Sequence, residues 1–349
     1  MAIRTPPQRL LKFEQFSSVD YPGLNGAKTL TATKLQVERS LLMVGYPSAR
    51  AAIAMVGPWR ATLLSALVEG YLTSQLRPSP YFLALEPSER ISTTFLLAQA
   101  FTHWMADAHM SVPILLHVTG TTPSWSLSSL PLTGKPGAGT IKNKSRPDFI
   151  GIAPSGYHVF ESKGRSLPTA STSLSSTLAS GCMAVALAQV SRIATISGMP
   201  PKTRTAAVWV LRSSGLRGYI TDPPAARSSY DLKFDLSLAL VKYYRIVLDA
   251  AASFVGREGA QFVRFALSER RELVVDKKLL SLLQGLQSNG VDGRKVLSLL
   301  ERRAPFYHRA RRLAARMPEL AFGLDGVGLV GATKDFEEML EPPPVVALD

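Results

Sequence analysis

Two short apolar runs joined by a tight turn constrain this chain more than any other feature. Residues 145–164 read SRPDFIGIAPSGYHVFESKG. Asp148 opens the first run, and Pro154-Ser155-Gly156 supplies the residues that reverse a chain. The second run, YHVFESK, ends on Glu161, Ser162 and Lys163. Side chains on a strand alternate faces, so Glu161 and Lys163 share one face and Ser162 points away. If the two runs pair as a hairpin, Asp148 comes close to that same face. Two carboxylates and one amine then converge at a sheet edge, a set that can hold a divalent metal and activate water.

Pro147-Asp148, a gap, then Glu161-X-Lys163 resembles the motif of the PD-(D/E)XK nuclease superfamily, the restriction-endonuclease-like fold. The surroundings strengthen the likeness. A helical stretch follows at about 178–197 and carries Gln189, and strand-like runs come next at 205–213 and 218–224. The resemblance covers roughly 89–225. It implies an α/β core with a mixed sheet of four or five strands flanked by helices. It also implies a nuclease acting on nucleic acid, with double-stranded DNA the expected substrate, and with Mg²⁺ or Mn²⁺ as cofactor.

Carried over residue by residue, Asp148 and Glu161 are metal ligands. Lys163 orients the attacking water or stabilises developing negative charge. Relatives often add an acid from the preceding helix, for which Glu89 is the first candidate and Glu69 the second. Gln189 matches a position that contacts substrate or the catalytic lysine. Magnesium keeps several waters and takes further ligands from phosphate, so Asp148, Glu161 and the backbone carbonyl of Ser162 form a sufficient protein set. By analogy of fold the setting is restriction or antiphage defence, with a homodimer or a partner subunit open. The alternatives are a catalytically inactive nucleic-acid-binding or scaffold subunit with the same fold, or an RNase.

The charge balance points the same way. The 349 residues carry a formal net charge of +14, which suits a polyanionic partner. Eight Lys or Arg residues and one acid, Glu301, lie between Arg294 and Arg316. Arg302, Arg303, Arg309 and Arg312 are therefore candidates for tracking phosphates. Lys135, Lys142 and Lys144, in the Gly/Ser/Pro-rich loop 121–145, are further candidates. That loop is no Walker motif, because its lysine precedes the last glycine. His103 and Asp107, four apart on a predicted helix, form a possible metal pair but are better read as polar residues at a helix end. The single cysteine, Cys182, allows no internal disulfide and reads as a small buried residue. No secretory signal and no run of about 18–20 apolar residues is found, so a cytoplasmic setting without membrane contact is expected.

Three regions follow. Residues 1–88 form a mostly helical extension with an irregular start at 1–28. Residues 89–225 form the nuclease-like core, entered by a helix with Ser88 as cap. Residues 226–349 form a basic helical region in which 272–287 is one helix and 296–317 is interrupted at Pro305, followed by an acidic, Pro-rich tail. The Ser/Thr stretch 166–180 reads as a connector.

Overall fold

The computed structural model describes residues 10–44, 58–118, 125–129, 146–167, 176–213, 215–223, 230–254, 256–288 and 290–331. It opens with strands β1 (Leu10–Glu14) and β2 (Gly26–Thr29) and helices α1 (Lys34–Met43), α2 (Pro58–Tyr71), α3 (Pro80–Leu83) and α4 (Pro87–Met110). Next come β3 (Ile114–His117), β4 (Trp125–Ser129), β5 (Phe149–Ala153), β6 (Gly156–Leu167) and α5 (Ser176–Val190). Strands β7 (Ile193–Ile196), β8 (Thr203–Arg212), β9 (Gly215–Thr221) and β10 (Tyr230–Phe234) lead to α6 (Leu236–Tyr243) and α7 (Arg245–Ser253). The last elements are β11 (Arg257–Glu258), β12 (Phe262–Ser268), β13 (Arg271–Asp276), α8 (Lys277–Gln287), α9 (Gly293–Ala314), β14 (Leu320–Phe322) and β15 (Val327–Val330).

The protein is α/β, with a mixed seven-stranded sheet in the order β2-β1-β9-β8-β6-β5-β3. Seven strands replace the expected four or five, and the surplus comes largely from the N-terminal region. Its supposedly irregular start supplies β1 and β2, and β1 runs parallel to β9 with Phe13 opposite Ile220. LLKFE alternates as a strand must, burying Leu11 and Phe13 and exposing Lys12 and Glu14. Glu86, not Ser88, caps α4, its carboxylate accepting from the Ser88 N–H.

The C-terminal region also departs from an all-helical reading. Strands β11 to β15 form a five-stranded antiparallel sheet in the order β11-β12-β13-β15-β14. RELVVD is strand and only Lys277–Gln287 is helix. Asp276 makes the switch, because its carboxylate caps the helix by accepting from the Lys278 and Leu279 N–H groups. Helix α9 runs through Pro305 without interruption. The acidic tail and residues 168–175 of the Ser/Thr stretch lie outside the described residues, whereas the end of that stretch, 176–180, is no connector but the start of α5. Among the described residues no helix is long and apolar enough to cross a membrane.

Two layers sandwich the main sheet. Helix α4 packs Ala98, Phe101 and Thr102 against the face that carries Ser162, Gly164 and Trp209. Helix α5 covers part of the other face, where Cys182 meets Val208 and Val210. The C-terminal sheet is joined to these layers by a buried polar network. Arg39 of α1, 3% exposed, pairs with Asp325, 0% exposed, and donates to the Val327 carbonyl at 2.8 Å. Tyr243 OH lies 2.7 Å from Asp325 Oδ2 and 2.8 Å from His103 Nε2. The Leu324 N–H donates to Asp107 Oδ1 at 3.1 Å. His103 and Asp107 are thus absorbed into this structural network.

Candidate active site

The β5–β6 hairpin places the acidic residues. Pro154 and Ser155 form its two-residue turn, and Gly156 at φ 138° occupies backbone space that side chains oppose. Pairing runs from Ala153 opposite Gly156 to Phe149 opposite Phe160 and ends there. Asp148 and Glu161 sit just past the last pair, where the strands open. They clasp each other through the backbone. The Asp148 N–H donates to Glu161 Oε2 at 2.8 Å, and the Ser162 N–H donates to Asp148 Oδ2 at 3.0 Å. Lys163 Nζ pairs with Glu161 Oε1.

Glu161 is fully buried, whereas the Lys163 side chain keeps 28% of its exposure. Burial, then the negative charge of Asp148, pushes the Glu161 carboxyl up to about 8 despite the Lys163 ammonium and the Asp148 N–H. Burial likewise raises Asp148, against the pull of Lys163 and the Ser162 N–H. Two acids held this way resist being charged together. A divalent cation relieves that cost, so the donor set fits a hard metal. The Ser162 N–H points toward Asp148, and in a strand the carbonyl of a residue points the same way as its N–H. That carbonyl is therefore available as a third oxygen donor. The Ser162 hydroxyl turns to the opposite face, its Oγ 2.9 Å from Thr102 Oγ1.

Gln189 of α5 joins the site by an indirect route. Its Nε2 donates to the Arg146 carbonyl at 2.7 Å and so pins the backbone leading into Asp148, rather than touching Lys163. Glu89 does not join it. Helix α4 runs along the other face of β6, with Thr94 against Gly164 and Thr102 against Ser162. Glu89 precedes Thr102 by 13 residues, which places it roughly 20 Å away along the helix axis. There it meets Tyr71 OH at 3.4 Å. Glu69 pairs instead with Lys34 and Arg271. Among the described residues no three His, Cys, Asp or Glu side chains gather in a metal-holding group, so the acid set is the pair alone.

The basic candidates separate. Lys142 and Lys144, with Lys135, lie outside the described residues. Arg303 is committed to Asp276 at 2.5 Å and stacks 4.6 Å over the Phe306 ring, a structural role rather than phosphate tracking. Arg302 donates to Ser298 Oγ at 2.8 Å, and exposed Arg309 sits 5.8 Å from the Phe306 ring centroid. Arg312 is exposed. Helix α9, which carries them, packs on α6, α8 and β14. Sequence reasoning passed over Arg165, although ESKGR alternates and places it on the face of Glu161 and Lys163.

Gly164 explains how closely α4 approaches. A Cβ there would lie 2.6 Å from the Thr94 carbonyl oxygen and 3.0 Å from Ala98 Cβ. Gly164→Ala should cost about 1–3 kcal/mol by pushing α4 off β6. Urea unfolding measures this, and a variant as stable as the parent would mean that the two elements are not in contact.

No protein-family model, curated protein or solved structure matches the chain.

Proposed function

We propose that this chain is a divalent-metal-dependent nuclease that hydrolyses DNA phosphodiester bonds, with Mg²⁺ or Mn²⁺ held by Asp148, Glu161 and the Ser162 carbonyl. One observation carries the proposal: a fully buried carboxylate, Glu161, and a half-buried one, Asp148, clasp each other at the mouth of a hairpin, with an ammonium on the first. An ordinary ion pair needs a single acid. A second, half-buried carboxylate beside it makes the pair costlier unless a cation is shared. Further support comes from element order. The strand, strand, helix, strand, strand series behind the PD-(D/E)XK resemblance corresponds to β5, β6, α5, β8 and β9, with short β7 inserted. The net charge of +14 suits a nucleic-acid substrate.

When bound, the metal would lower the pKa of a coordinated water and neutralise charge on the phosphoryl group. Asp148 and Glu161 supply hard oxygen donors held by backbone N–H groups, so little reorganisation accompanies binding. Lys163 presents a partly exposed ammonium beside them, placed to orient water or to stabilise the developing oxyanion. Gln189 holds the Arg146 carbonyl and through it the approach to Asp148.

Incubation with supercoiled plasmid and Mg²⁺ tests the proposal. The wild-type chain should nick it, and Lys163→Ala should lose roughly 10²–10³-fold in rate. Equal inactivity of both chains would favour a binding or scaffold role. Cleavage of single-stranded RNA with duplex DNA left intact would favour an RNase.

A further inference from the structure

Helix α9 sorts its cations by face. Val296, Leu299, Leu300, Tyr307, Ala310 and Ala314 are buried and form its core-facing stripe. At about 100° per residue, Arg294, Lys295, Arg302, Arg309 and Arg312 fall within an arc of roughly 100° on the far side. Arg316 follows in line just past the helix end, so that Lys295, Arg302, Arg309 and Arg316 recur every seven residues. All six are exposed. From Arg294 to Arg312 the row runs about 27 Å along the helix axis.

The helix cations off this arc are neutralised, and those on it are not. Arg303 pairs with Asp276, and Arg311 stands 3.7 Å from the Asp107 carboxylate. None of the six on the arc has a carboxylate partner among the described residues. Asp292, just before the row, caps the helix through the Arg294 N–H. Glu301, the one acid between Arg294 and Arg316 in the chain, lies at the rim of the arc. Arg302 donates to Ser298 Oγ at 2.8 Å and Arg309 lies over Phe306, so both are oriented while their charge faces water. A row of like charges repels itself, and a polyanion laid along it relieves that repulsion.

The make-up of the face selects the polyanion. A helix that binds an anionic membrane inserts an apolar face, and the apolar face of α9 is buried in the core. Proteins that hold single strands stack bases on aromatic rings, and no exposed aromatic residue lies on the arc. Phe306, at its edge, is half-buried and stacked on Phe262. Guanidinium groups instead suit phosphate oxygens, which they hold through paired N–H donors. A straight row of about 27 Å meets phosphates along most of one duplex turn of roughly 34 Å. We propose that the exposed arc of α9, from Arg294 to Arg316, docks the phosphate backbone of a nucleic-acid duplex. The role of that duplex as substrate rests on the nuclease proposal, whereas the docking does not. The arc begins near the hairpin that carries the acid pair. Burial raises the Tyr157 hydroxyl of β6 and the Arg294 charge opposes the rise, which puts the two within charge range.

Binding without metal tests the docking apart from cleavage. The full chain in EDTA is titrated into fluorescein-labelled duplex DNA or duplex RNA, and anisotropy is followed across a salt series. Arg302→Gln combined with Arg309→Gln should weaken binding about tenfold and make the DNA salt slope shallower by about 0.9 per arginine removed. Arg302→Lys combined with Arg309→Lys, which keeps the charge, should retain most of the slope. Arg270→Gln, which removes an exposed charge from the turn between β12 and β13, should change neither affinity nor slope. The replaced side chains are exposed, so the fold is at little risk. Should the loss of Arg309 from Phe306 unfold the chain, Arg312→Gln combined with Arg316→Gln carries the same expectation. Arc-dependent binding of either duplex supports the proposal, and the tighter of the two names the source. Unchanged affinity and slope in the arc variants would overturn it, as would an equal loss per charge in Arg270→Gln. Tighter binding to a single strand than to either duplex would also overturn it. So would arc-dependent binding to phosphatidylserine vesicles with duplex binding unaltered. Arc-dependent binding without nicking by the wild-type chain would remove the nuclease proposal and leave the docking surface. Nicking with arc-independent binding would do the reverse.

Discussion

Glu161→Gln is expected to abolish metal-dependent nicking while making the metal-free protein more stable at pH 8. The two effects share one cause. Glu161 is fully buried, and burial together with Asp148 pushes its carboxyl from 4.5 to about 8 in the folded protein. The folded state then holds a proton that the unfolded chain releases, so stability falls as pH rises from about 4.5 to about 8. Below that window the carboxyl is protonated in both states and contributes nothing. A glutamine carries no charge and escapes the penalty. Its amide must still be housed beside two donors, Lys163 Nζ and the Asp148 N–H, which makes the gain smaller than the full linkage. The expected gain is on the order of 2 kcal/mol at pH 8 and near zero at pH 4. Activity moves the opposite way. If Glu161 holds the metal as proposed, losing that anionic ligand should cost at least the 10²–10³-fold that removal of one preorganised electrostatic group costs. Urea melts in EDTA at the two pH values, beside plasmid assays, measure both. A variant that is inactive and also less stable at pH 8 would mark Glu161 as a structural ion-pair partner.

Asp325→Ala should have the largest effect on stability. Asp325 is fully buried and faces Arg39, and Arg39 is itself sealed from water. Removing the carboxylate leaves a guanidinium whose nearest remaining carboxylate is Asp107, 3.9 Å from its Nη1. It also frees Tyr243 OH from one partner and removes the acceptor that meets the Val327 N–H at 3.2 Å. Breaking a buried pair from one side typically costs about 3–5 kcal/mol. Replacing both partners with apolar residues, as in Arg39→Met with Asp325→Leu, should recover most of that loss. If the double variant is no more stable than Asp325→Ala, the pair is not the source of the penalty.

The site was legible where local periodicity decided it. Alternation along YHVFESK fixes which side chains share a face, and the Pro-Ser-Gly turn fixes which strand returns beside which. Asp148 and Glu161 follow from those two rules alone. Glu89 fails for the opposite reason. Its place on a helix is visible from sequence, but the face of the sheet that the helix covers depends on the close approach at Gly164, a tertiary contact. Strand β1 was missed because its partner is β9, about 200 residues away. In the C-terminal region, the two β-branched residues of ELVVD merge by composition into the leucines that follow, and only the Asp276 cap separates strand from helix. Pro305 breaks no helix, because α9 buries Leu299, Leu300, Tyr307 and Ala310 on both sides of it and packing outweighs one lost backbone donor.

The Arg39–Asp325 contact joins residues 286 positions apart. At roughly 5–20 residues per second of synthesis, Arg39 waits on the order of 15–60 s on the ribosome before its counter-ion is made. During that interval Asp107, on the helix that backs β6, also lacks the Leu324 N–H. A nascent chain therefore emerges with its central hairpin complete but its scaffold unlocked, and the turn between β14 and β15 that carries Asp325 closes it.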